Sequence, residues 1–155
     1  MSLSGGCQCG AIRFRADDIG EISICHCRMC QKALGGVFGP YAEAKGLVWT
    51  RGERRRFQSS NKIWRGFCGD CGTPLTFEHV AGLVSLAIGA FDDPAAIRPT
   101  EQLDSPSRLP WFEDLAGLPN HPADEPRAAA YLAGIVSYQH PDHDTEAWPP
   151  TASAE

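Results

Sequence analysis

The chain has 155 residues, 43% of them hydrophobic, which suits one domain with a real core and makes it globular rather than disordered as a whole. Its 14 basic and 19 acidic residues leave a net charge of -5, against the basic excess that marks most nucleic-acid binders, so no nucleic-acid partner is expected. No apolar run approaches the ~20 residues that span a bilayer, so no membrane partner is expected either.

The start, Met1-Ser2-Leu3-Ser4-Gly5-Gly6, has no basic stretch followed by an apolar one. It reads as free of an export signal, and the chain as cytoplasmic. Cys7-Gln8-Cys9 follows, flanked by Gly6 and Gly10, whose freedom lets the backbone turn sharply with N–H groups aimed at sulfur. The alternation of Ala11 to Ala16 predicts a half-buried strand, and Asp17-Asp18 a turn. Glu21 to Ile24 alternates again and runs into Cys25. This places the first two cysteine groups at the ends of a hairpin.

Cys25-His26-Cys27-Arg28-Met29-Cys30 continues through Gln31 to Leu34 and stops at Gly35-Gly36, the pattern of a short helix closed by glycine. Cys27 and Cys30, three apart, share a face of it, and Cys25 comes from the strand end before it. One turn therefore presents three thiolates. His26 lies between two of them and is expected to point away from whatever they bind, in a supporting or surface role. Met29 reads as packing.

Strands are predicted over Val37–Ala42, with Pro40 at an edge or bulge, over Gly46–Thr50, over Glu53–Gln58 and over Ile63–Phe67. Arg51, Arg54, Arg55, Arg56, Lys62 and Arg65 offer an anion-binding face, with a solvated strand face as the plainer reading. Cys68-Gly69-Asp70-Cys71-Gly72 has the form of a zinc knuckle. Strands follow at Thr73–Phe77 and Gly82–Gly89, and the short regular spacing of all these points to a mainly β domain. Glu78 and His79 read as a surface pair, or else as a base or ligand.

From Asp92 the texture changes to a turn and a Pro-rich stretch, with Trp111-Phe112 as an anchor packing it back on the sheet. Asn120 to Pro126 reads as a linker and Arg127–Tyr138 as a helix started by Pro126. The end from Gln139 reads as lacking fixed structure, with no role for His121, His140 or His143.

All seven cysteines precede Gly72 and fall into these three groups. An odd count strands one thiol in any disulfide scheme, and close pairs on tight turns suit a tetrahedral metal. Four thiolates close a structural zinc site, while three leave a position open for water or substrate. A zinc of the second kind is a Lewis acid able to activate a thiol beside an aldehyde carbon. A redox relay, a pair of purely structural sites, a fourth ligand from His26, His79 or an acid, and a zinc-stabilised binding module remain open on spacing alone. So does a sensor that loses zinc when its thiolates are oxidised.

Three stretches together carry a resemblance: Gly6-Cys7-Gln8-Cys9-Gly10, Cys25-His26-Cys27-Arg28-Met29-Cys30-Gln31-Lys32, and Phe67-Cys68-Gly69-Asp70-Cys71-Gly72-Thr73-Pro74-Leu75. They resemble the glutathione-dependent formaldehyde-activating enzyme family, which includes the centromere protein V type. The resemblance runs from about Gly5 to Pro119. It implies a β-tent fold related to zinc ribbons and two zinc ions. It assigns Cys7, Cys9, Cys68 and Cys71 to a structural zinc, and Cys25, Cys27 and Cys30 to a catalytic one. It also implies a carbon–sulfur lyase that joins a small thiol such as glutathione to formaldehyde. The domain is then residues 1–119, followed by an extension over 120–155. Self-association is compatible with the sequence, which does not specify it.

Overall fold

The computed structural model describes residues 3–103, 106–120 and 126–148. Among the described residues, ten strands form two sheets, with few and short helices. Strands β1 (Leu3–Gly6), β2 (Arg13–Ala16) and β5 (Val48–Arg51) make a three-stranded sheet in the order β1-β2-β5. Strands β3 (Asp18–Cys25), β4 (Gly39–Lys45), β6 (Arg55–Gln58), β7 (Ile63–Phe67), β8 (Pro74–His79), β9 (Val84–Ala87) and β10 (Glu101–Leu103) make the second. Its order is β10-β3-β4-β9-β8-β7-β6, antiparallel throughout except where β10 joins β3. This is the mainly β, β-tent architecture expected, with cysteine turns arranged as in zinc ribbons.

The hairpin expected between the first two cysteine groups does not form. β2 pairs with β1 and β5, whereas β3 pairs with β4 and β10. The chain leaves one sheet and enters the other at Asp17, whose N–H is taken by the Lys45 carbonyl. Alternation along each strand was legible, but the choice of partner strand is set by non-local packing. Pro40 sits inside β4, opposite Ile24, before the pairing with β9 begins at Tyr41. Its missing N–H therefore costs no bond to β9.

One buried cluster draws on both sheets. Phe14 from β2 is fully buried, edge-on to Trp49 of β5 and Phe91, with centroids 6.0 and 5.3 Å away. Leu75, Leu86 and Ala42 close it from the large sheet, and Cys7, Cys30 and Cys68 belong to the same cluster. Burying one such phenyl ring contributes about 1.5–3 kcal/mol, so the aromatic trio is a main tie between the sheets.

Helix α1 (Arg28–Leu34) starts and stops where the sequence indicates. Cys27 is its N-cap, and Gly35 closes it in the left-handed conformation at φ 65°. Helix α2 (Pro126–Ala133) begins at the expected proline but ends short of Tyr138, with no buried residue. His121 and the rest of the linker from 121 to 125 lie outside the described residues. No helix among the described residues is long and apolar enough to cross a membrane.

The chain end differs from its reading. Residues 139–148 lie against the small sheet, and the remainder falls outside the described residues. The His140 N–H donates to the Gln8 carbonyl at 2.8 Å, and the His140 ring is buried against Trp148. Both rings sit over Gly10, at φ 74°, where any Cβ would collide with them. Asp144 pairs with Arg13 at 2.8 Å, and Thr145 accepts from Arg51. Charged and aromatic side chains in a Pro-rich tail carry no periodicity, so this docking had no sequence signal.

Candidate metal centres

Two turns from different sheets meet at Cys7, Cys9, Cys68 and Cys71. After β1, the Cys7 N–H donates to the Ile12 carbonyl and Gly10 N–H to the Cys7 carbonyl, both at 3.0 Å. Between β7 and β8, Cys68 N–H donates to Thr73 O at 2.9 Å and Gly72 N–H to Cys68 O at 3.0 Å. The two loops are near copies, each curling backbone N–H groups towards sulfur. Ile12 N–H donates to Cys7 Sγ at 3.2 Å and Asp70 N–H to Cys68 Sγ at 3.4 Å. Gln8 N–H, donating to Thr73 Oγ1 at 3.0 Å, links the loops directly.

The four sulfurs all lie within 4.8 Å of one another. Cys7 and Cys9 are 3.5 Å apart, and Cys9 and Cys68 are 3.8 Å apart. A disulfide needs about 2.05 Å, so none of these is bonded. Zinc arms of about 2.3 Å give a tetrahedron with sulfur–sulfur edges of about 3.8 Å, which is the spacing found. The charge argument agrees. Burial and the neighbouring thiols push Cys7 up to about 12. Burial also opposes ionisation of Cys71, but bonds from Thr73 and from the Cys9 N–H outweigh it and bring it to about 6. Four thiolates in this space need a cation among them, and the donor set fits zinc.

The second cluster is built by one segment. Cys25 ends β3, Cys27 caps α1, and Cys30 lies in its first turn, with all three sulfurs within 4.8 Å. Cys30 N–H donates to Cys27 Sγ at 3.4 Å. Burial works against the Cys27 thiolate, but the Cys30 N–H and the neighbouring thiols carry it below its ordinary value. Burial pushes Cys30 up to about 12, with Arg65 pulling the other way. Cys30 is 1% exposed, while Cys25 and Cys27 are half-buried, so the cluster has a wetter side. Three thiolates fit a zinc with one position left over.

His26 is not a donor of this cluster, nor is it at the surface. It is fully buried, with its ring edge-on to Phe112 and Phe38 at 4.6 and 6.1 Å. Nε2 meets Gln102 Oε1 at 3.0 Å, and Nδ1 is buried without a partner among the described residues. Gln31 Nε2 donates to the His26 carbonyl at 2.9 Å and to Ser107 O at 3.0 Å. The segment after β10 is thus fastened over the start of α1. Phe112 is its anchor, whereas Trp111 is 45% exposed.

The arginine run is not one free face, although Arg55, Arg56 and Lys62 are exposed. Arg51 holds the tail, Arg54 pairs with Glu78 at 2.5 Å, and Arg56 approaches the same carboxylate at 3.6 Å. Glu78 is buried rather than at the surface, and His79 Nδ1 accepts from Ala81 N–H at 3.1 Å. Arg65 is 6% exposed and touches Cys30, a contact the sequence reading did not anticipate. Its signal was there: alternation puts Arg65 on the inward face of β7, two residues from buried Ile63.

The model of the glutathione-dependent formaldehyde-activating enzyme family matches residues 2–104. The chain belongs to this family. The match takes in both cysteine clusters and ends before Trp111–Pro119, where the resemblance had been extended. A crystal structure of a Rhodobacter sphaeroides protein is similar at a TM-score of 0.51 and 17% identity, covering 65% of this chain and 100% of that one. At that identity the likeness is one of fold. A search of curated proteins gives no match.

Proposed function

We propose that this family member is a zinc-dependent carbon–sulfur lyase-like enzyme whose Cys25, Cys27 and Cys30 hold the reactive metal. In this reading Cys7, Cys9, Cys68 and Cys71 hold a structural zinc. The observation that carries it is the separation of seven thiols into a four-donor and a three-donor cluster. The family's name supplies the reactants, a glutathione-like thiol and an aldehyde such as formaldehyde. Bound at the three-cysteine cluster, zinc would supply an electrophilic position at which a thiol gives up its proton at neutral pH.

The net reaction balances simply. The thiol sulfur forms a bond to the aldehyde carbon, the C=O π pair moves to oxygen, and oxygen takes the proton that sulfur lost. The product is an S-hydroxymethyl thiol, and the reverse breaks the carbon–sulfur bond.

The chain's own residues supply binding and shape. A cleft of about 520 Å³ runs beside α1, lined by Met29, Lys32, Tyr41, Phe57, Arg65 and Pro74. Its walls are mainly apolar, it reaches the cluster only through Arg65, which touches Cys30, and Lys32 presents a cation to a carboxylate-bearing thiol. The test follows ¹³C-formaldehyde with glutathione by NMR, with and without the zinc-loaded chain. Faster approach to the S-hydroxymethyl adduct, lost in Cys25→Ser, is expected. Equal rates with and without protein would defeat the proposal.

A further inference from the structure

Arg65 is a buried cation with no carboxylate beside it. It is 6% exposed, and no aspartate or glutamate pairs with it among the described residues. Each of its three nitrogens nonetheless donates one hydrogen bond. Nε donates to Ser59 Oγ at 3.2 Å, Nη1 to Tyr41 Oη at 2.8 Å and Nη2 to Cys30 Sγ at 3.4 Å. The group lies over the Phe77 ring, 4.6 Å from its centroid. A guanidinium out of water needs an anion, because an unpaired buried charge costs several kcal/mol. Two of the three groups it donates to are hydroxyls; the third, Cys30 Sγ, is the one that becomes an anion on binding a metal.

We propose that Arg65 is the counter-cation of the three-cysteine cluster and, acting through Cys30, sets how tightly that cluster holds a metal ion. This rests on the reading of the cluster as a metal site. Three thiolates and a divalent ion leave one negative charge, which Arg65 cancels. With a divalent ion held by Cys25, Cys27 and Cys30, Arg65 would make the site neutral and so more open to an anionic thiol. Tyr41 and Ser59 hold the guanidinium plane in place, so Arg65 is a positioning residue rather than one that touches the reacting atoms.

The experiment uses the full chain, Arg65→Gln and Arg65→Lys, each titrated with zinc against a chromophoric chelator. A parallel cobalt titration follows the sulfur-to-metal charge-transfer bands of the two sites. R65Q is expected to weaken the second metal equivalent by about 10- to 100-fold, as loss of a supporting partner does, and to leave the first unmoved. R65K, which keeps the charge, is expected to recover most of that loss. Equal affinity in R65Q and wild type, or R65K as weak as R65Q, would overturn the proposal.

Should R65Q fail to fold, ¹⁵N NMR of the wild-type guanidinium decides. The Arg65 Nη resonances are expected to shift with the second zinc equivalent, and resonances indifferent to it would overturn the role. If wild type takes up no second zinc, the metal reading itself has failed, an outcome distinct from either.

Discussion

Asp144 lies 2.8 Å from Arg13 across 131 residues of sequence, and Asp92 closes on the same guanidinium at 2.6 Å. Arg13 is 3% exposed, so it depends on both carboxylates. The ion triad joins β2, the turn after β9 and the C-terminal segment. Its two acids are not equivalent: Asp92 is 11% exposed and Asp144 41%. Truncating one member of a buried pair costs about 3 kcal/mol, whereas an exposed partner contributes under about 1 kcal/mol. Asp92→Ala should therefore lose about 3 kcal/mol in urea denaturation, and Asp144→Ala much less. Equal losses would contradict this ranking.

The same triad predicts an acid response. Burial opposes ionisation of Asp92, but Arg13 and Ser4 outweigh it and hold its carboxyl below the usual range. Arg13 first, and Arg15 with it, does the same for Asp144. Groups with lowered folded-state values stabilise above the unfolded value of about 3.9, and that stability is lost as pH falls below it. Thermal melts at falling pH should show wild type losing its advantage over Asp92→Asn below about pH 4. A gap between them that stays constant down to pH 2 would be inconsistent with the linkage.

The two cysteine clusters should respond differently to substitution. Cys7 and Cys9 follow a strand of the small sheet, and Cys68 and Cys71 join two strands of the large one. A metal held there would tie the sheets together, so Cys9→Ser should unfold the chain or expose its core to dye. Cys27→Ser, within one segment of the large sheet, should leave the near-UV spectrum intact apart from local change. Loss of fold in both would make both clusters structural.

His26 anchors the segment after β10 through Gln102 and Phe112. His26→Ala removes the ring from an aromatic contact and leaves Gln102 Oε1 without its partner. Limited proteolysis should then cut near residues 104–110 at least tenfold faster, the equivalent of about 1.4 kcal/mol of lost protection. An unchanged cleavage rate would mean that β10 holds without His26.

What could be read in advance follows locality. Helix α1 with its Gly35 stop and the strand at Ile63–Phe67 are set by neighbours in sequence and were legible, whereas the Cys27 cap was not. The knuckle at Cys68 to Gly72 was legible for the same reason. The sheet that β2 joins, the partner of Arg13 and the place of His140 depend on residues far along the chain. No periodicity reports such contacts. Arg65 is the instructive case. Its alternation said inward and its charge said outward, and following the charge placed it on an outer face, where it does not lie.

The measurement that tests the account most directly is metal per chain, by elemental analysis, on wild type and on Cys25→Ser purified identically. Two zinc ions per wild-type chain and one per variant chain, with the fold retained, are expected. One zinc in both would contradict it, because the three-cysteine cluster would then hold no metal and could not activate a thiol.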